Sequence, residues 1–129
     1  MAKELTYRGK TLEELQNMGE ADLKNILLAR SRRILKRGLS DQQKKLLVKV
    51  KESKNKIKPI KTHCRDMIIL PEMVGQLFNV YSGQNFEPIN PTVEMGGRYL
   101  GEFIQTRKEV KHKAPGVGAT KSTKHASMK

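Results

Sequence analysis

Tryptophan is absent from this chain of 129 residues, cysteine occurs once, and aromatic residues make up only 5%. A single thiol cannot close an intramolecular disulfide, so the fold has no covalent staple and an oxidising compartment is disfavoured. Acidic residues are scarce as well: 13 Asp and Glu stand against 26 Lys and Arg, a formal net charge of +13 with a pI near 10.0. A compact chain of that charge repels itself, which makes a polyanion the expected partner. Long apolar runs are also missing. The longest strong run, Met67–Leu70, is far short of the roughly 20 residues of a membrane span. Met1–Lys10 lacks the apolar centre of a secretory signal. One small cytoplasmic domain with tails is expected, neither secreted nor in a membrane.

The charge is unevenly spread: residues 1–29 carry −1, 30–61 carry +11, 62–106 carry −3 and 107–129 carry +6. This layout suggests a basic helical N-terminal extension and linker over 1–61, an α+β core over 62–106 and a flexible basic tail over 107–129. Thr11 and Glu14 have capping-box spacing, and Leu12, Leu15 and Met18 follow at helical intervals. Gly19 interrupts, after which Leu23, Ile26, Leu27 and Ile34 share one side of a helical wheel, so the pattern reads helix, break, helix. Arg30, Arg32, Arg33, Lys36 and Arg37 crowd the end of the second helix, more cations than a C-terminal dipole accounts for. Gly38 is placed to close it in a left-handed conformation. Ser40 and Gln43 open another helix, with Leu46, Leu47 and Val50 as its apolar stripe and Lys44, Lys45, Lys49 and Lys51 opposite.

Residues 54–61 (KNKIKPIK) read as an extended basic linker, since Pro59 cannot continue a helix. Asp66–Leu70 reads as a short buried strand, Gln76–Tyr81 as a second and Asn85–Ile89 as a third, with a hairpin turn at Ser82-Gly83-Gln84. Pro91 and Thr92 open a last short helix ending near Gly101–Phe103. The expected fold class is therefore α+β: a small three-stranded antiparallel sheet packed with short helices, an N-terminal helical extension and a disordered basic C-terminal tail.

In the middle of the chain, Thr62-His63-Cys64-Arg65, ILPEMVG at Ile69–Gly75, YSGQ at Tyr81–Gln84, LGEF at Leu100–Phe103 and Thr106-Arg107 occur in order. Together they strongly resemble the small-subunit ribosomal protein family S-nineteen. SRRILKRGL at Ser31–Leu39 and APGVGAT at Ala114–Thr120 are similar to its archaeal and eukaryotic branch. The resemblance implies a non-catalytic component of the head of the small subunit, bound to its ribosomal RNA next to protein S-thirteen. It also implies a tail, Lys111–Lys129, that extends toward the decoding region and the A-site tRNA. One departure is Gly96, where the family usually has an aliphatic residue. Two successive glycines cost a helix roughly 1 kcal/mol each relative to alanine, which works against a long, rigid last helix.

Cations without carboxylate partners point to phosphate, which Arg binds as a fork and Lys as a point charge. The RNA-contact candidates are Arg32, Arg33, Lys36, Arg37, Lys44 and Lys45, then Lys61, Arg65, Arg98 and Arg107, then Lys108, Lys111 and Lys113. Lys121, Lys124 and Lys129 are the candidates for a decoding-site tail. Arg65, Arg98 and Arg107 are the only cations in residues 62–107, and Asp66, Glu94 and Glu102 compete for them. For Tyr81 and Tyr99, core packing is a stronger reading than base stacking. The chain has no RNP-type aromatic strand, so recognition of RNA by shape is expected. Adjacent His63 and Cys64, with His112 and His125 in the tail, do not make a four-ligand zinc site, and Cys64 is expected to pack. The spacing of nucleophile, base and orienting group is absent too, so no cofactor, metal, small-molecule substrate or enzymatic role is expected. On charge alone, a basic DNA-compacting nucleoid protein is the alternative. A binder of anionic membranes is a third, for which Ser40–Lys54 offers only three clear apolar positions.

Overall fold

The structure is a computed structural model that describes residues 5–53 and 58–111. Helix α1 (Leu12–Asn17) starts with the reciprocal pair its sequence encodes: the Thr11 N–H donates to Glu14 Oε2 at 3.1 Å and the Glu14 N–H to Thr11 Oγ1 at 3.5 Å. Helix α2 (Glu20–Ile26) follows Gly19. The expected second helix is in fact two, because Leu27 and Leu28 are extended and α3 (Ala29–Arg37) begins anew. Apolar spacing could not reveal this, since two helices facing one core satisfy the same periodicity as one. Arg32 stabilises the break by donating from Nε to Lys24 O and from Nη2 to Asn25 O, both at 3.0 Å. These carbonyls end α2 and have no partner within it. Gly38 closes α3 with φ 95° and ψ 154°. The φ is positive as expected but ψ is extended, a combination essentially reserved for glycine.

Helix α4 (Asp41–Ser53) is capped by Ser40 and Gln43, with the Ser40 N–H donating to Gln43 Oε1 at 3.0 Å. Gln43 is buried, and its Nε2 donates to Asp66 Oδ2 at 2.8 Å, so one side chain both starts the helix and ties it to the segment around Asp66. Strands β1 (Ile60–Thr62), β2 (Phe78–Tyr81) and β3 (Phe86–Ile89) form a sheet in that order. β1 runs parallel to β2, and β2 antiparallel to β3, so the sheet is mixed and not the expected antiparallel one.

The reason is that the first strand is not Asp66–Leu70. It lies at the end of the presumed linker, where Pro59 sits just outside the ladder and the Ile60 N–H donates to Leu77 O at 2.9 Å. Met67, Ile68 and Ile69 are fully buried, but they form only an isolated bridge, Ile68 to Tyr99. A continuous apolar run has no alternation and does not distinguish a strand from a buried connection. This run is part of the crossover that a parallel pair requires, together with a 3-10 turn at Pro71–Met73. The expected last helix is likewise two 3-10 turns, Val93–Met95 and Leu100–Phe103, parted by Gly96 and Gly97.

The hairpin turn forms as expected, with Gly83 at φ 109° and the Ser82 N–H donating to Asn85 O at 2.8 Å. A single core joins α4 to the sheet, the crossover and the last turn through Leu46, Val50, Ile60, Met67, Ile69, Phe78, Val80, Leu100 and Ile104. The fold is α+β. Among the described residues, no helix is long and apolar enough to cross a membrane.

Candidate nucleic-acid interface

The lysines of α4 divide into two sets with different surroundings. Lys44 and Lys51 stand beside Asp41 at 3.7 Å and Glu72 at 4.0 Å, along a cleft walled by Leu15, Leu23, Leu47 and Leu70. Lys45 and Lys49, one turn apart, line a groove whose other wall is Lys61, Thr62, His63 and Cys64. Among the described residues no carboxylate pairs with Lys45, Lys49 or Lys61. Cations in that state lose little when they meet phosphate, because no existing pair has to be broken.

On α3, the residues at 30, 33 and 37 are spaced to share one face, and Arg30, Arg33, Lys36 and Arg37 are all exposed. Arg32 is different: half-buried, it spends Nε and Nη2 on the carbonyls that end α2, so it positions the helices. Arg30 lies over the Tyr99 ring, 4.3 Å from its centroid, and reaches Glu102 at 3.7 Å. Arg98 meets the other oxygen of the same carboxylate at 3.6 Å, so of the carboxylates the sequence offers, Asp66, Glu94 and Glu102, it pairs with the last. Glu102 therefore faces two guanidinium groups. Glu102→Gln should release both and tighten the binding of a phosphate polyanion by about three- to five-fold at roughly 0.15 M salt, one extra effective cation. Filter-binding titrations of the variant against the parent protein check this.

Arg65 threads between the last turn and the sheet, where its Nη1 donates to Tyr81 O at 3.5 Å. Gly101 of the LGEF motif leaves room for it, since a Cβ there would lie 3.0 Å from both the Cβ and the carbonyl oxygen of Arg65. Arg107, Lys108 and Lys111 are exposed, and Lys108 donates to Gln84 Oε1 at 3.4 Å. Lys113, Lys121, Lys124 and Lys129 lie outside the described residues, as do His112 and His125. Among the described residues, no group of three His, Cys, Asp or Glu could hold a metal. Cys64 is half-buried against the core.

Two parts of this surface are not evident from the sequence. Arg30 and Lys49 did not stand out as RNA-contact candidates, although their spacing to Arg33 and to Lys45 places each pair on one helical face. Tyr81 is not in the core but on the outer side of the sheet, in contact with His63 and Phe86. Its position opposite the buried Phe78 and Val80 in the β2 alternation is the signal that could have shown this. Tyr99 is half-buried beneath Arg30.

Comparison with known proteins covers the same region. Residues 33–112 match the model of a family described as ribosomal protein S19. The chain is 50% identical over 128 residues to the small ribosomal subunit protein uS19 of Thermoplasma volcanium, an alignment covering 99% of this chain and 83% of the relative. It is 49% identical over 128 residues to the protein of that name from Thermoplasma acidophilum, with the same coverage. The counterpart from Cenarchaeum symbiosum is 45% identical over 131 residues, covering both chains completely. The matched segment contains the whole α4–β1 groove, the ring cluster, and Arg65, Arg98 and Arg107. With that segment matched, and with relatives 45% and 50% identical over nearly the whole chain, the chain belongs to the ribosomal protein S19 family.

Proposed function

We propose that this protein is a structural constituent of the small ribosomal subunit that binds ribosomal RNA in the subunit head, next to protein S-thirteen. In this reading it works in the cytoplasm on the ribosome, takes no cofactor or small-molecule substrate, and carries out no catalytic step. The observation that carries it is the convergence of Lys45 and Lys49 from α4 with Lys61 from β1 on one groove, with no carboxylate paired to them among the described residues. Helix and strand are held together by a common core, so the three lysines start from fixed backbone positions, which suits the shape recognition of folded RNA. The names of the relatives supply the small subunit as the setting.

The same reading gives the three parts of the chain separate tasks. Residues 1–61 present basic helices to phosphate, 62–106 dock as the RNA-binding core, and 107–129 approach the decoding site and the A-site tRNA. The test is a titration of the full chain with a head-domain fragment of small-subunit ribosomal RNA, with duplex DNA and an unrelated folded RNA as competitors, from low to physiological salt. A preference for the head fragment that persists as salt rises is expected, because shape complementarity does not depend on counterion release. Equal affinities that collapse together would overturn the proposal in favour of a DNA-compacting polycation.

A further inference from the structure

We infer that the outer face of the three-stranded sheet is a stacking site for an unpaired base of single-stranded RNA, an inference that rests on the RNA reading above. The register sets the face: Lys61 pairs with Asn79, Asn79 with Pro88 and Tyr81 with Phe86, all opposite the buried Phe78, Val80 and Ile89. His63, just beyond β1, closes on the two rings, with centroids 4.8 Å from Tyr81 and 5.2 Å from Phe86. Tyr81 and Phe86 are themselves 5.3 Å apart. The chain has only three Tyr and three Phe, and two of these six lie together on a solvent-facing surface.

Solubility gives no reason for such a patch, whereas base stacking does, because every base offers a π-face to an aromatic ring. Phe86 is 37% exposed, and the Tyr81 hydroxyl donates to Gly83 O at 2.8 Å, which fixes the neighbouring ring. The charge around the patch suits the same ligand. The Lys61 ammonium lies 5.7 Å from the Phe86 centroid, and Lys61 and His63 also line the groove that holds Lys45 and Lys49. A nucleotide combines a flat apolar base with an anionic phosphate, and here rings adjoin cations that no carboxylate pairs with among the described residues. A polar protein segment would need carboxylates for the lysines but has no use for a ring cluster.

The experiment uses the full chain and a short single-stranded oligoadenylate, with an RNA duplex of equal length as reference, over a range of salt. Phe86→Leu keeps the apolar bulk and removes the π-face. It should weaken oligoadenylate binding by about 5- to 150-fold while leaving the salt slope and the duplex affinity unchanged, since stacking releases no counterions. Phe86→Trp should restore binding. His63→Leu, at an exposed position, reads the same site if circular dichroism shows that Phe86→Leu does not fold. Unchanged oligoadenylate affinity, or an equal loss on the duplex, would overturn the stacking site. If the parent protein keeps its preference for the ribosomal head fragment in that case, only the stacking site falls. If that preference is absent as well, the RNA reading fails with it.

Discussion

Replacing Gly97 with alanine should destabilise the protein by about 2–5 kcal/mol, the largest loss expected from any one glycine among the described residues. Two separate costs add. Gly97 has φ +75°, where an L-residue is strained by roughly 1–2 kcal/mol. The new Cβ would also lie 2.9 Å from Leu27 Cδ2 and 3.3 Å from the Tyr7 hydroxyl. Leu27 is only 2% exposed, so its side chain has to repack within the interior, which adds about 1–3 kcal/mol. The position is a junction: the Gly97 N–H donates to Ile69 O at 2.9 Å and its carbonyl accepts from the buried Ser31 hydroxyl. Strain there loosens α3 from the crossover and from the turn that holds Arg65. Gly96 is the milder comparison, because its φ of −51° suits any residue and its one tight contact, Val93 O at 3.2 Å, is longer than the 2.9 Å contact at Gly97. Gly96→Ala should stay within about 1 kcal/mol of the parent. Urea unfolding of both variants measures the difference, and equal midpoints would show that the junction is not under this constraint.

Local chemistry was legible in the sequence, and long-range arrangement was not. Both capping boxes form because each depends on two side chains three residues apart, and the Ser82–Gln84 turn forms because Gly83 alone admits φ 109°. The division of α2 from α3 was hidden, since Leu23, Leu27 and Ile34 keep the same spacing in sequence under either arrangement. The exchange of Asp66–Leu70 for Ile60–Thr62 as the first strand has the same origin. A buried connection and a buried strand carry the same residues, and only the partner across the ladder distinguishes them. The candidate site shows the same limit. Each lysine of α4 could be named from the sequence, but not that Lys44 and Lys51 meet Asp41 and Glu72 while Lys45 and Lys49 face β1. That sorting depends on where the crossover places Glu72 and on which edge of the helix meets the sheet.

The sorting predicts an unequal response to charge removal. Changing Lys45, Lys49 and Lys61 together to glutamine should lower the slope of log affinity against log salt for the ribosomal head fragment by about 2–3, at roughly 0.7–0.9 for each phosphate no longer neutralised. From about 1 M salt down to about 0.15 M, that difference in slope amounts to a loss of roughly 100-fold in affinity. The fold should be unaffected, because all three residues are exposed and none contributes to the core. Lys44→Gln with Lys51→Gln removes two charges from the same helix, yet each of these is already partnered by a carboxylate, and its loss frees that carboxylate to repel the RNA only locally. Per lysine, the paired set should therefore cost less slope than the groove set. Salt titrations of the two variants side by side decide the matter. An equal cost per lysine would mean that the RNA senses only total charge, and the α4–β1 groove would lose its standing as the docking surface. An unequal cost would mean that the lysines of α4 meet the RNA on the groove side of the helix, a side set by the register of β1 and the cap of α4.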